Sequence, residues 1–138
     1  MFETSLTTLL KSDSTLIADL STYEDSPSIF PNKAPRKVEF NYVVFSIHGT
    51  GTEDSVIESF NIMVNFFGYD LSGVVARRAT RRIIELLDRT HLDHSYYDNI
   101  RIFAAGGIDY VETNDLRAQH YNIRFTARAG RSGWMSNL

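Results

Sequence analysis

The sequence contains no cysteine, so it offers no disulfide, no thiolate nucleophile and no thiolate metal ligand, a usage that fits assembly in a reducing cytoplasm. Its three prolines, Pro27, Pro31 and Pro35, all fall in one stretch, which marks a loop there and leaves the rest of the chain free of that breaker. No apolar run approaches bilayer-spanning length, and the start Met1-Phe2-Glu3-Thr4-Ser5 carries an acid where a signal peptide would carry positive charge, so no membrane segment is expected. Positive charge is not in excess either. Fourteen Lys and Arg against seventeen Asp and Glu give a net charge of -3, too acidic for a nonspecific grip on nucleic acid. What is present is ordinary globular material: 138 residues, 43% hydrophobic and 22% charged, enough for one folded domain with a real core but not for two.

The charge is unevenly placed. Residues 1 to 60 hold four basic and nine acidic side chains, whereas residues 61 to 138 hold ten basic and eight acidic ones. Opposite signs in the two halves suit contact between unlike surfaces of neighbouring subunits, although chance produces such splits too.

Hydrophobic spacing sets the expected elements. Phe2, Leu6, Leu9, Leu10, Leu16, Ile17 and Leu20 form a helical stripe over residues 2 to 20, with Asp13 placed to cap a restart after a kink near Ser12. Ile29 and Phe30 fit a short edge strand inside the proline-bearing loop. Residues 41 to 47, Asn-Tyr-Val-Val-Phe-Ser-Ile, read as a strand buried on both faces. After a polar loop from Gly49 to Ser55, residues 56 to 67 alternate, with Phe60, Ile62, Val64 and Phe66 on one side and Ser59, Asn61 and Asn65 on the other. The two strands form a long-looped hairpin.

Leu71 to Arg89 reads as a second helix, capped by Asp70 or Ser72, packing on the sheet through Val75, Ala79, Ile83 and Leu86 while its arginines face outward. Thr80 is the one polar residue on the apolar side and can bond back to a carbonyl one turn earlier. Residues 91 to 99 read as a polar connection. Two strands follow, with a bulge at Gly106-Gly107, a turn at Thr113-Asn114-Asp115, and Tyr121, Ile123, Phe125 and Ala127 inward on the last strand. The expected fold is therefore α+β: a mostly antiparallel sheet of two hairpins with two helices packed on one face, over residues 1 to 129, followed by a mobile tail from 130 to 138.

Catalytic patterns are sparse. His91 and His94 with Asp93 could share a metal, but they sit in a connection without a helix to align them, and a solvated helix exit accounts for them far better. Gly49-Thr50-Gly51-Thr52 resembles part of a phosphate loop yet lacks the trailing glycine and lysine and leads into a strand. Ser46 and His48 lie near one another without a nucleophile elbow, so nucleophilic catalysis is not expected. No cofactor is implied. Arg77, Arg78, Arg81 and Arg82 form the sharpest local cluster. Glu85 and Asp88 can neutralise it from the same helix face, so a self-paired face or a subunit contact fits it better than a nucleic-acid site.

Together, the leading helix with Leu10-Lys-Ser-Asp-Ser-Thr-Leu16, the proline-bearing loop, Tyr42-Val-Val-Phe-Ser-Ile47, Phe60-Asn-Ile-Met-Val-Asn-Phe66, Ile83-Ile-Glu-Leu-Leu87 and a closing strand through Tyr121-Asn-Ile-Arg-Phe125 form a pattern. It resembles the tail-terminator, or tail-completion, proteins of long-tailed bacteriophages over residues 2 to 129. Asn41 stands where that family often carries a proline. The resemblance implies a non-enzymatic virion protein that forms a hexameric ring on the end of the tail tube, stops tube polymerisation and presents a surface to the head connector. A head-closure or other neck ring, and a host α+β binding module, stay open as alternatives. On the resemblance, Thr50, Thr52, Glu53 and Asp54 are candidates for docking the tail tube protein, with Arg124 and Arg128 as further partner contacts. Arg77, Arg78, Arg81 and Arg82 are candidates for the contact between copies.

Overall fold

The alternation of Phe60, Ile62, Val64 and Phe66 with Asn61, Met63 and Asn65 is that of a strand with one buried face, and this strand stands inside a six-stranded sheet. A computed structural model describes residues 2–52, 57–69, 72–92, 97–111 and 118–131. In chain order the elements are α1 (Glu3–Lys11), α2 (Ser14–Ile17), β1 (Thr22–Tyr23), β2 (Ser26–Pro27), β3 (Ile29–Pro31), β4 (Tyr42–Thr52), β5 (Ile57–Tyr69), α3 (Val74–Leu87), β6 (Thr90–Leu92), β7 (Tyr97–Val111) and β8 (Ala118–Arg131). The sheet runs β3-β4-β5-β8-β7-β6; β3 lies parallel to β4, and every other neighbouring pair is antiparallel. A separate two-stranded ladder joins β1 to β2. The architecture is α+β and dominated by strands.

Several expectations need correction. The leading helix is two: Asp13 adopts extended backbone (φ -87°, ψ 108°), and its Oδ2 accepts the Leu16 N–H at 2.8 Å, so the capping residue ends one helix and starts the next. Between Leu71 and Arg89 the helix is shorter than expected, because Gly73 at φ +69° forms its N-cap; Asp70 lies outside the described residues, and Ser72 Oγ accepts the Val74 N–H at 3.3 Å. Its buried stripe is Ala76, Ala79, Thr80, Ile83 and Leu87, one step round the wheel from Val75 and Leu86. Thr80 does bond back, donating to the Ala76 carbonyl at 2.8 Å. β4 is buried on one face only: Val43, Phe45 and Ile47 point in, while Tyr42, Val44 and Ser46 are half-buried and His48 is exposed. It also continues past His48, its pairing shifting between Gly49 and Gly51, so the expected loop is strand as far as Thr52.

Two more strands depart from the reading as loop. Residues 90 to 92 pair with β7 as an edge strand, because Thr90 and Leu92 continue the pleat beside Ile102 and Ile100. β8 runs through Gly130 and Arg131. The pairing of β7 with β8 shifts between Ala104 and Ile108, at Gly106-Gly107, as the glycines suggest. The expected turn at 113 to 115 and residues 132 to 138 lie outside the described residues.

One core joins these elements. Phe2, Leu6 and Leu10 of the first helical segment, Leu16 of α2 and the α3 stripe meet the inward residues of β4, β5, β7 and β8 in one buried cluster, with the Phe2 ring edge-on to Phe60 at 5.3 Å. Asn41 ties the periphery together: its amide donates to the Asp19 carbonyl at 3.0 Å and its Oδ1 accepts the Tyr69 N–H at 3.1 Å, a double role that proline could not fill. All three helices lie on one side of the large sheet; the opposite, outer side of β5, β7 and β8 has no described element across it.

Ile83 is fully buried and Phe60 nearly so. Ile83→Asp or Phe60→Asp places an unpaired carboxylate in this core and is expected to cost several kcal/mol, on the order of the whole stability. Loss of a cooperative thermal transition by circular dichroism is the result to look for; a near-normal melting temperature would show the face assignment to be wrong.

Candidate partner-binding surfaces

Arginines at 77, 78, 81 and 82 fall on the outward face of α3 because the inward stripe takes Ala76, Ala79, Thr80 and Ile83. The structure divides the four. Arg78 donates through Nε to Asp19 Oδ2 at 2.9 Å and through its terminal nitrogen to Oδ1 of the same carboxylate. Arg82 holds Asp13 through two bonds of 3.0 and 2.7 Å and reaches Glu85 at 3.1 Å. Both acids come from the first half of the chain, so part of the charge split is satisfied within one copy. Arg77 and Arg81 are exposed, and among the described residues no ion pair involves either. With Thr15, Val74, Arg78, Arg82 and Glu85 they line an open groove of about 350 Å³ between α2 and α3.

These pairs set the local titration. The Arg82 hydrogen bond holds the Asp13 carboxyl below its ordinary value of 3.8, helped by the Leu16 N–H and opposed by partial burial. The same contacts raise Arg82 and, through Asp19, Arg78.

The outer face of the sheet follows from the pleat. Residues opposite the inward set are Tyr42, Val44, Ser46 and His48 on β4, Asn61, Met63, Asn65 and Phe67 on β5, and His120, Asn122, Arg124, Thr126 and Arg128 on β8. At one end Tyr42, Phe67 and His120 stack across three strands, with centroids 4.8 and 4.2 Å apart, and Phe40 stacks on Tyr69 beside them. Asn65 Oδ1 accepts from His120 Nε2 at 2.8 Å and from Asn122 at 3.0 Å. Burial lowers the His120 pKa below the ordinary imidazole value. In the middle, Arg124 pairs with Asp109 at 3.2 Å over a hollow of about 200 Å³ that Asn61, Met63 and Ala105 also line. At the other end His91, Arg101 and Arg128 stand directly opposite one another on β6, β7 and β8, all exposed.

Thus Arg124 and Arg128 share one uncovered face, and the arginines of α3 lie on the helical side, away from them. The backbone of Thr50 and Thr52 continues β4; Glu53 and Asp54 lie outside the described residues. His91 is on β6, and His94 lies outside the described residues; among the described residues no three metal-ligating side chains converge. Sequence reading missed the His91–Arg101–Arg128 row, because a β6 strand was needed to align it. No helix among the described residues is long and apolar enough to cross a membrane.

No family model and no curated protein sequence matches the chain. Among solved structures, the fold matches a chain of the virion of the native gene transfer agent (GTA) particle, with a TM-score of 0.75 and 12% identity over 92% of each chain. At that identity the likeness is one of fold.

Asp13 separates the cap from the ion pair. Asp13→Asn keeps a capping oxygen and loses the charge, whereas Asp13→Ala loses both and is expected to be less stable than the Asn variant by about 1 kcal/mol. Because the folded Asp13 pKa is depressed, its charge contributes stability fully above the ordinary value of 3.8, and this is lost as pH falls through the lower folded value. The gap between wild type and Asp13→Asn in denaturant midpoint should therefore be present at neutral pH and close as pH falls through the depressed folded value. A gap that is the same at both ends would assign the effect to packing.

Proposed function

We propose that this chain is a non-enzymatic structural protein of a phage-like virion. In this reading it forms a ring, with six copies in the assembled particle, at the head-proximal end of the tail tube, ends tube polymerisation and offers the joining surface for the head connector. The observation that carries the virion role is the shared fold with a gene transfer agent virion chain over 92% of both chains. The order of segments quoted above supports the finer assignment to a tail terminator. An uncovered sheet face with cationic and apolar residues, and a groove with two cations free of ion pairs among the described residues, suit a protein that works by contact.

Within this proposal Thr50, Thr52, Glu53 and Asp54 meet the tail tube protein, Arg124 and Arg128 belong to a partner-facing surface, and the α3 arginines serve contacts between copies. Of those four, Arg77 and Arg81 are in no ion pair among the described residues and are the members offered to a neighbour, since Arg78 and Arg82 already hold Asp19 and Asp13. Assembly is compatible with a monomer that closes into a ring only on its template.

Electron microscopy of particles made without this protein tests the role. Overlong tails without heads are expected of a missing terminator. Tails of normal length with emptied heads would move the protein to head closure, and intact infectious particles would remove it from the virion pathway. Glu53→Lys with Asp54→Lys should leave the fold intact and weaken tail capping most at low salt, where screening is least. Particles as infectious as the parent's would exclude that loop as the electrostatic contact.

A further inference from the structure

The uncovered face of the sheet carries a charge opposite to that of the chain. Its described outward positions hold Arg101, Arg124 and Arg128 against Asp109, whereas the whole chain stands at -3. Arg101 and Arg128 face each other directly across β7 and β8. His91 extends the row to the edge strand β6, and exposed Phe103 and Met63 lie on the same face.

The opposite edge carries the complement. The two-residue connection between β1 and β2 is Glu24-Asp25, both exposed and both in left-handed backbone conformation, with φ of 50° and 63°. That turn turns both carboxylates outward at the tip of a short ladder. The ladder is held against the β3 edge: Tyr23 packs edge-on to Phe30 at 5.8 Å, Ser28 N–H donates to the Ser21 carbonyl at 3.0 Å, and Lys11 Nζ donates to Ser26 at 2.9 Å. In the strand order β3-β4-β5-β8-β7-β6, the acidic tip and the basic row therefore sit at opposite edges of one sheet.

We infer that the basic row His91, Arg101 and Arg128 on the uncovered sheet face receives the Glu24–Asp25 tip of a second copy of this chain. The inference rests on the ring reading and gives it a pair of surfaces. The contact is heterologous, tip of one copy to face of the next, so it repeats in one direction instead of closing as a twofold dimer. Single-stranded nucleic acid fits the face less well. Tyr42, Phe67 and His120 present their ring planes to one another, which leaves those faces unavailable for base stacking, and the net charge of the face is small.

Sedimentation velocity at low ionic strength tests this with the full chain, Glu24→Lys/Asp25→Lys and Arg101→Glu/Arg128→Glu, each checked for an unchanged thermal transition. The wild type should form species larger than a dimer that dissociate as salt is added. Each double variant alone presents like charges and should sediment as monomer. An equimolar mixture of the two regains opposite charges at every contact and should assemble again. The neutral pair Glu24→Gln/Asp25→Asn, milder for the turn, should weaken assembly by at least tenfold. Either charge-reversed variant assembling as the wild type does, or a mixture that stays monomeric, overturns the inference and leaves the ring reading standing. A wild type that is monomeric even at millimolar concentration in low salt overturns it too, while the virion role is judged separately on particles made without the protein. Dissociation of a wild-type assembly by single-stranded oligonucleotide, together with a shift of that oligonucleotide by monomer, would give the face to nucleic acid instead.

Discussion

The pleat of β5 is the constraint on which the rest depends. This strand is paired along nearly its whole length, with β4 on one side and β8 on the other, so its alternation dictates theirs. Phe60 faces Ala127, Val64 faces Ile123 and Phe66 faces Tyr121, while Phe45 and Val43 continue the same inward rows on β4. A slip of one residue would carry Phe60, Ile62, Val64 and Phe66 to solvent and bring Asn61, Met63 and Asn65 against the helices, so the register is strongly specified. Two of the inward pairs set a large residue against a small one: Phe60 lies opposite Ala127, and Phe125 opposite Ala104. The small Ala76 and Ala79 let α3 come close to that face. Gly68 belongs to the same logic, since a Cβ there would meet Phe66 Cε1 at 2.7 Å.

With the helices fixed on the inner face, electrostatics decides how α3 is anchored. Arg82 and Arg78 hold two carboxylates from the segment around α2, and Asp13 both caps α2 and pairs with Arg82. One side chain thus joins the start of a short helix to the middle of a long one. The Asp13 carboxylate side chain is only 12% exposed, so its pair depends less on ionic strength than the Arg124–Asp109 pair, in which both partners are more than half exposed. The division among the arginines follows from helical geometry: residues 78 and 82 are one turn apart and face α2, while 77 and 81 stand one step round the helix.

Much of this was legible in the sequence where the periodicity was long. The alternation of β5 and β8, the bulge at Gly106-Gly107, the Thr80 back-bond and the Asp13 cap all follow from side-chain spacing or from one polar residue in an apolar setting. Short elements were not legible. Thr90-His91-Leu92 is three residues long and becomes a strand only because Ile100 and Ile102 are there to pair with it, a long-range cause that no local pattern contains. The β1–β2 ladder likewise depends on contacts with Phe30 and Lys11. At the surfaces, the arginine cluster was visible as a cluster, but its carboxylate partners lie 59 and 69 residues away in sequence and only folding brings them together. The row of His91, Arg101 and Arg128 was hidden for the same reason, its members belonging to three strands.

The placement of charge at opposite edges of the sheet has a consequence for how copies would join. If the acidic tip and the basic row shared one edge, two copies could satisfy each other around a twofold axis and assembly would stop at a dimer. At opposite edges each copy has one donor and one acceptor of contact, and a chain of copies keeps an unsatisfied site at each end until it closes. A single contact of this kind, made by exposed arginines and carboxylates, is weak and strongly screened. Closure changes the balance, because the last copy added makes two contacts while losing its freedom once, and a template that aligns copies raises their effective concentration further. Weak, directional, charge-based contacts of this kind would therefore come apart on dilution or added salt and hold best where a partner of matching symmetry collects the copies.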